Sequence, residues 1–388
     1  MSQDFEFSAL RRYPDVEAAN LFAHDATDEL ILNEASAALA AQGTVAVVGD
    51  RYGALTLGAV HNHGLGGVRV HQDALSGELA LTANAKNLGL AGTFTSQPLT
   101  GEMFHGATTV LWQLPRSLEE VAEVAELISH HAAPEVKIFA GGRIKHMTLA
   151  MNTVLGKYFA DVVPGRAWRK SRPLTVSGPR TDAPSSSFPR RENNHTLGLT
   201  LCAHGATFAG TKLDIGTRFL LDFIPEMRED AATAIDLGCG NGAIAAALAT
   251  ARPDLAVTAT DQSAAAVAST AATARANGLE QRITAVRDDA LASFPAGSAD
   301  LIVLNPPFHV GASVHAGIAL KLFDAAARVL APGGELWTVY NTHLDYRGVL
   351  EQKVGPTWIK GRNSKFTVAV SVKVAPGRAA DVMMATDR

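Results

Sequence analysis

The stretch "LIVLNPPFHVG" (Leu301–Gly311) sets an amide, two prolines and an aromatic ring directly after four apolar residues. Four consecutive apolar residues bounded by turn formers mark a buried strand. Proline supplies no amide donor to a ladder and restricts the residue before it, so the strand must end at Asn305. The chemistry open to such an end is narrow. An exocyclic amine on a purine is a poor nucleophile, because its lone pair is delocalised into the ring. Two acceptors aimed at its N–H bonds favour the pyramidal form as the amine attacks a methyl donor. The side-chain carbonyl of Asn305 and the backbone carbonyl of Pro306 are the candidate acceptors. Pro307 stiffens the turn, and Phe308 offers a face on which an extruded base stacks. An isolated Asn-Pro-Pro-Phe reads equally well as a proline-terminated strand whose Asn caps a turn, so the neighbouring segments decide.

Those neighbours are three strand ends. "TAIDLGCGNGAIAAALAT" (Thr233–Thr250) is a strand, a glycine loop and an alanine-rich helix, with Asp236 two residues before Gly238, Gly240 and Gly242. Glycines there permit a tight turn and close approach of a ligand to the backbone. The spacing Gly238-x-Gly240-x-x-Ala243 also fits a dinucleotide fingerprint, which keeps a dehydrogenase in view. Asp236 weighs against it, because a carboxylate repels a pyrophosphate but suits an ammonium or sulfonium charge. "VTATDQS" (Val257–Ser263) ends a second strand at Asp261-Gln262, at the offset where an acid accepts ribose hydroxyls. "ITAVRDDAL" (Ile283–Leu291) ends a third in acids, placed to receive an adenine amino group at Asp289-Ala290. Three successive strands ending in Asp describe S-adenosylmethionine better than a nicotinamide cofactor.

With these motifs the chain resembles the class I S-adenosylmethionine-dependent methyltransferases. The resemblance implies an α/β, Rossmann-like sheet of seven strands, six parallel and the last antiparallel, with helices on both faces. The sequence predicts strands near 233–237, 256–260, 283–287, 300–304, 334–340, 357–361 and 365–373, and helices over 242–251, 263–277 and 316–331. Cys239 sits inside the glycine loop, where the family tolerates it, and is not read as a nucleophile.

The resemblance sharpens upstream in "ATFAGTKLDIGTRFLLDFIPE" (Ala206–Glu226) and downstream in "GGELWTVYNTHLDYRGVLEQKVG" and "GRNSKFTVAVSVK". Together these are similar to the ribosomal RNA guanine-N2 methyltransferases of the small methyltransferase-domain group. The Asn341-x-His343-Leu344-Asp345-Tyr346 and Asn363-x-Lys365-Phe366 segments look most like the large-subunit (23S rRNA) branch, with the 16S branch a near relative. The resemblance implies that Asp236, Gly238, Gly240, Asn241, Gly242, Asp261, Gln262, Asp289, Ala290 and Asn305 hold the cofactor. It likewise implies that Asn305, Pro306, Pro307 and Phe308 hold the guanine. Protein glutamine and DNA adenine methyltransferases also use Asn-Pro-Pro-aromatic, and a catalytically idle ribosome-assembly RNA-binding protein would be a rival of another class.

The elements around the site extend over a second half. "GTVAVVGDRYGALTLGAV" (Gly43–Val60) parallels the Thr233–Ala249 segment, Val68–Leu90 parallels Val257–Leu279, and Thr108–Ser117 parallels Ala299–Val310. One α/β unit is therefore expected twice, as tandem methyltransferase-like domains. The first copy has lost the chemistry: Arg51 and Tyr52 interrupt its glycines, and Gln113-Leu114-Pro115-Arg116 replaces Asn305–Phe308. The expected organisation is a degenerate RNA-docking or scaffold domain over 1–176, a Pro/Ser/Arg-rich linker over 177–194 and a catalytic domain over 195–388.

Charge is unevenly spread. The chain has 34 Lys and Arg against 38 Asp and Glu, yet residues 143–191 alone hold 10 basic and 2 acidic residues. A basic zone on an acidic chain is the footprint of a phosphate backbone, and Arg166, Arg169, Lys170 and Arg172 are its candidate contacts. A solvated basic linker is the plain alternative. Two widely separated cysteines make a disulfide framework or a zinc site unexpected. No secretory h-region and no run long enough to span a bilayer point to the cytoplasm. A duplicated chain is expected to act as a monomer.

Overall fold

The computed structural model describes residues 5–185, 187–306 and 312–374, with side chains from 317 onward in the last of these. The chain forms two compact units. The first comprises 1–188 with 204–206, the second 189–203 with 207–388.

The first unit runs α1 (Ala26–Ala40), β1 (Val45–Val48), α2 (Ala54–His63), β2 (Val68–His71), α3 (Leu75–Asn87) and β3 (Phe94–Ser96). It continues through α4 (Gly101–Phe104), β4 (Thr109–Gln113), α5 (Leu118–His131), β5 (Lys137–Arg143), α6 (Leu149–Leu155), β6 (Phe159–Pro164) and β7 (Ser171–Pro179). The seven strands lie in the order β3-β2-β1-β4-β5-β7-β6. α1 begins with a reciprocal capping box between Asp25 and Asp28, which satisfies amides that the first turn leaves unpaired.

The second unit opens with a hairpin, β8 (Arg190–Asn194) and β9 (Leu199–Ala203), followed by α7 (Ile215–Leu221), β10 (Thr233–Leu237), α8 (Ala243–Ala251), β11 (Ala256–Asp261), α9 (Ala264–Ala276) and β12 (Ile283–Arg287). Then come β13 (Ala299–Leu304), α10 (Ala312–Val329), β14 (Leu330–Asn341), α11 (Arg347–Lys353), β15 (Thr357–Arg362) and β16 (Phe366–Val372). Its seven strands have the order β12-β11-β10-β13-β14-β16-β15, the same permutation as in the first unit. β16 is antiparallel to both of its neighbours, and the remaining strands share one direction. The expected fold is therefore the observed one, in both halves.

Alternation along the strands explains why helices cover both faces. Ala234, Leu301, Val303, Trp337 and Val368 pack with residues of α7 and α8 on one face. Ile235, Leu237, Ile302, Leu304 and Leu336 pack with residues of α10 and α11 on the other. A central parallel strand has no solvent face, so its residues are apolar throughout. The fully buried polar exception in β10 is Asp236, whereas Thr233 at the strand's start is exposed.

The segment 177–194 departs from the expected linker. Ser177 pairs with Lys137 and Asp161, and Pro179 pairs with Phe159, so its start belongs to β7. Its end is β8, in which Arg190–Asn193 are exposed. Backbone pairing with β9 defines that strand, and an exposed edge strand needs no apolar periodicity. Among the described residues of this segment, 180–185 and 187–189 lie outside regular structure. His61 and His63 stand in the last turn of α2.

Candidate active site

Register aligns the strand ends of the second unit. Leu237 of β10 pairs with Leu304 of β13 and with Thr260 of β11, and Asp261 pairs with Arg287 of β12. Gly238, Asp261 and Asn305 consequently each follow a paired position at the same edge of the sheet. This is the carboxyl edge, where open α/β sheets bind ligands at the reversal of strand order. That reversal falls between β10 and β13.

The glycine loop is held from three sides. Asp236 lies beneath it, with Oδ2 accepting from Ala245 N at 3.0 Å, so it caps the start of α8. Burial pushes its carboxyl up to about 7, with the Ala245 hydrogen bond opposing and the charge of Asp261 adding to the shift. Asp261 accepts from Gly240 N at 3.2 Å and from Ser263 N at 2.9 Å. Asn241 donates from Nδ2 to the carbonyls of Gly210 and Lys212, and its Oδ1 accepts from Ala243 N. The Asn241 side chain thus ties the 210–212 strap to the loop. Thr270 on α9 donates to the Cys239 sulfur at 3.2 Å, and burial pushes the thiol well above its usual range. Cys239 is accordingly no thiolate.

Two glycines are required for distinct reasons. Gly242 has φ +79°, and a Cβ there would stand 3.0 Å from the Thr270 backbone, so it permits α8 to pack on α9. Gly240 has φ +54° and a Cβ would meet nothing within 4 Å, so the space over it is open to a ligand.

Asn305 is set by a network that the sequence did not announce. Its Nδ2 donates to Asp214 Oδ2 at 3.0 Å and to Thr217 Oγ1 at 2.8 Å. Asp214 is itself the N-cap of α7, accepting from Thr217 N. A carboxylate only accepts, so the amide nitrogen must face it and the carbonyl must face the opposite way. Asn305 Oδ1 is buried and has no hydrogen-bond partner among the described residues, as is true of Asp236 Oδ1. A buried acceptor left unpaired costs about 1–3 kcal/mol, and acceptors held so are poised for a donor brought by a ligand. Pro306 is buried beside it. Pro307 and Phe308 lie outside the described residues.

The acids after β12, where the sequence predicts the adenine, have partners of their own. Asp289 is gripped by Lys321, whose Nζ lies 2.7 and 2.6 Å from its two oxygens. Asp288 accepts from Ala292 N and from the amide and hydroxyl of Ser293, and so builds the turn in which Ala290 has φ +55°. The Gln262 carbonyl accepts from Arg287 Nε. Arg166, Arg169, Lys170 and Arg172 belong to the first unit, exposed around the turn between β6 and β7. Arg169 stacks 4.4 Å over the Trp168 ring and stands 3.8 Å from Glu29.

A seven-stranded sheet of this order, a glycine loop followed by an acid-ended strand, and an unpaired acceptor at the next strand's end define a Rossmann-like methyltransferase. S-adenosylmethionine is its cofactor, and the open space over Gly240 with Asp261 beside it fits that group. Residues 198–370 match the methyltransferase small domain and residues 1–180 the RLMG N-terminal domain. Ribosomal RNA large subunit methyltransferase G of Pseudomonas paraeruginosa (strain DSM 24068 / PA7) is 34% identical over 362 residues, 92% of this chain and 96% of that protein. The protein of the same name from Streptomyces coelicolor is 30% identical over 371 residues, 94% and 97% of the two chains. The chain therefore belongs to the ribosomal RNA large subunit methyltransferase G family, and it is an rRNA methyltransferase. Among solved structures, the Thermus thermophilus 16S rRNA N2 G1207 methyltransferase in complex with AdoMet and guanosine shares the fold. Its TM-score is 0.72 at 22% identity, covering 90% of this chain and 92% of that one.

Proposed function

We propose that this enzyme transfers the methyl group of S-adenosylmethionine to the exocyclic N2 amine of a guanosine in large-subunit rRNA. The observation that carries the proposal is the Asn305 amide, whose nitrogen is pinned by Asp214 and Thr217 and whose buried carbonyl is left without a donor.

Asn305 Oδ1 and the Pro306 carbonyl accept the two N2 hydrogens and draw the lone pair out of the ring plane. The bound cofactor supplies an electrophilic methyl carbon on a positively charged sulfur. As the N–C bond forms, the C–S bond breaks, and the methylated amine then loses one proton to water. No side chain with a shifted pKa is needed as base. Asp236 holds the loop, Gly238 and Gly240 let the cofactor approach the backbone, and Asp261 accepts its ribose hydroxyls. Asn241, Gln262, Asp289 and Ala290 shape the loop and the adenine end. Phe308 stacks on the guanine. The assignment to the large subunit draws support from the names of the relatives, and guanine N2 from the guanosine-bound structural neighbour.

The first unit serves as the docking domain in this reading, the second as the catalytic one, in a monomeric cytoplasmic enzyme. Removing charge at Arg166, Arg169, Lys170 and Arg172 together tests the docking role. rRNA affinity falls while S-adenosylhomocysteine affinity holds; unchanged rRNA affinity would overturn it.

A further inference from the structure

The first unit keeps a cleft where the second has its active site, and its lining has changed sign. A cavity of about 340 Å³ lies at the carboxyl ends of β1, β4 and β5, lined among others by Arg51, Arg116, Arg143, Lys145 and His146. Asp25 is the carboxylate in that lining, 3.9 Å from Arg51.

The architecture beneath is the same in both units. The loop after β1 has φ +73° at Gly49, +55° at Arg51 and +103° at Gly53, against +81°, +54° and +79° at Gly238, Gly240 and Gly242. Asp50 caps α2 through Leu55 N and Thr56 N, as Asp236 caps α8. Gln113, at the end of β4, donates to Asp28 in the first turn of α1, as Asn305 donates to residues at the start of α7. Ile144 N donates to the Lys170 carbonyl, as Thr342 N does to that of Lys365.

On this shared frame the substitutions run one way. Arg51 replaces Gly240, Arg143 replaces Asn341, and Lys145 replaces His343. Arg51 holds a left-handed φ that costs a non-glycine residue roughly 1–2 kcal/mol, and strain of this kind concentrates at binding sites. Arg51 lines the cavity, whereas a Cβ at Gly240 would meet nothing within 4 Å. The cations crowd one another as well. Arg116 meets His146 Nε2 at 2.9 Å, and the pKa of His146 is lowered first by desolvation, then by Arg116, Lys145, Arg51 and Arg143. Asp28, which accepts from the cavity-lining Gln113, has its carboxyl pushed up to about 8 chiefly by burial, and so adds little negative charge at neutral pH.

We infer that the former cofactor cleft of the first unit is a phosphate site that holds the backbone of the substrate rRNA. The chemistry required is an anion with several acceptor oxygens, which guanidinium groups bind in a forked geometry. A free nucleotide carries the same chemistry. RNA is favoured because the basic surface does not stop at the cavity. The Ile144–Lys170 bond links its edge to the turn that bears Arg166, Arg169, Lys170 and Arg172, with Trp168 exposed among them. A backbone path flanked by an aromatic ring suits a polynucleotide. The inference rests on rRNA being the substrate.

The test uses the full-length protein with a 23S rRNA transcript, binding being measured across a range of salt concentrations. Arg51→Gly relieves backbone strain and so preserves the fold; combined with Arg143→Gln it removes two cations from the cavity. Affinity for the transcript at about 0.1 M salt falls roughly tenfold or more, and the slope of log affinity on log salt shrinks by about 2. S-adenosylhomocysteine affinity, read in parallel, is unchanged. Guanosine monophosphate and inorganic phosphate serve as separate probes. Unchanged transcript affinity and slope overturn the inference, whether or not those small anions bind. A wild-type protein that does not bind the transcript at all contradicts instead the reading of rRNA as substrate.

Discussion

Asn305 Nδ2 lies 3.0 Å from Asp214 Oδ2, across 91 residues of sequence. With Thr217 taking the second amide hydrogen, the carbonyl oxygen is turned away from both and left buried without a donor. The strand end that opens the problem is thus only half of the device. The other half is the first turn of α7, which orients the amide.

Thr217 is accordingly a positioning residue. Thr217→Val removes one acceptor while keeping the backbone amide that Asp214 caps. The account expects kcat to fall about tenfold, equivalent to about 1.4 kcal/mol, with KM for S-adenosylmethionine unchanged. Thr217→Ser should restore most of the rate. A Val variant with wild-type kcat would show that the network does not orient Asn305.

Gly240 should tolerate a methyl group in the folded chain, where a Cβ meets nothing, at a backbone cost of roughly 1–2 kcal/mol for its left-handed φ. Arg51 holds nearly the same φ in the first unit. Gly240→Ala is therefore expected to fold and to bind S-adenosylhomocysteine at least tenfold more weakly, in a calorimetric titration. Undiminished affinity would place the cofactor elsewhere.

Asp28 gives a pH dependence with a defined sign. Its pKa is raised from 3.8 to about 8, chiefly by burial. The folded chain therefore keeps a proton that the unfolded chain has lost. Stability from this group is full below about pH 4 and is lost as pH rises toward 8. Asp28→Asn should shrink the fall in the melting temperature of the first unit over that window, followed through the buried Trp112. Parallel curves for the two proteins would contradict the shift.

The strands and helices around the catalytic site were legible because each carries a strong local signal. Leu301–Leu304 is a continuous apolar run, and the alanine-rich α8 and α9 follow glycine and Ser263 starts. The acids at the ends of β10 and β11 could be placed by counting. What could not be read is whatever depends on distant partners. Asp214 and Thr217 have the spacing of a helix cap, and their second role appears only when β13 is set beside α7. Asn241 reads as a ligand-loop residue, yet its amide is spent on Gly210 and Lys212. The β8 strand has no apolar periodicity, so its composition resembles a linker. The cationic cleft of the first unit draws its lining from four separated segments, and of these residues only Arg143, Lys145 and His146 belong to the basic zone visible in sequence.

The central claim is tested most directly by incubating the enzyme with methyl-labelled S-adenosylmethionine and unmodified 23S and 16S rRNA, naked and as subunits, and identifying the labelled nucleoside. The account predicts N2-methylguanosine in large-subunit RNA alone. It also predicts loss of about 10²-fold or more in rate for Asn305→Ala, the scale for removing a group that acts on the transition state, with S-adenosylhomocysteine binding retained. Label in a different nucleoside, or full activity without the Asn305 amide, would contradict it.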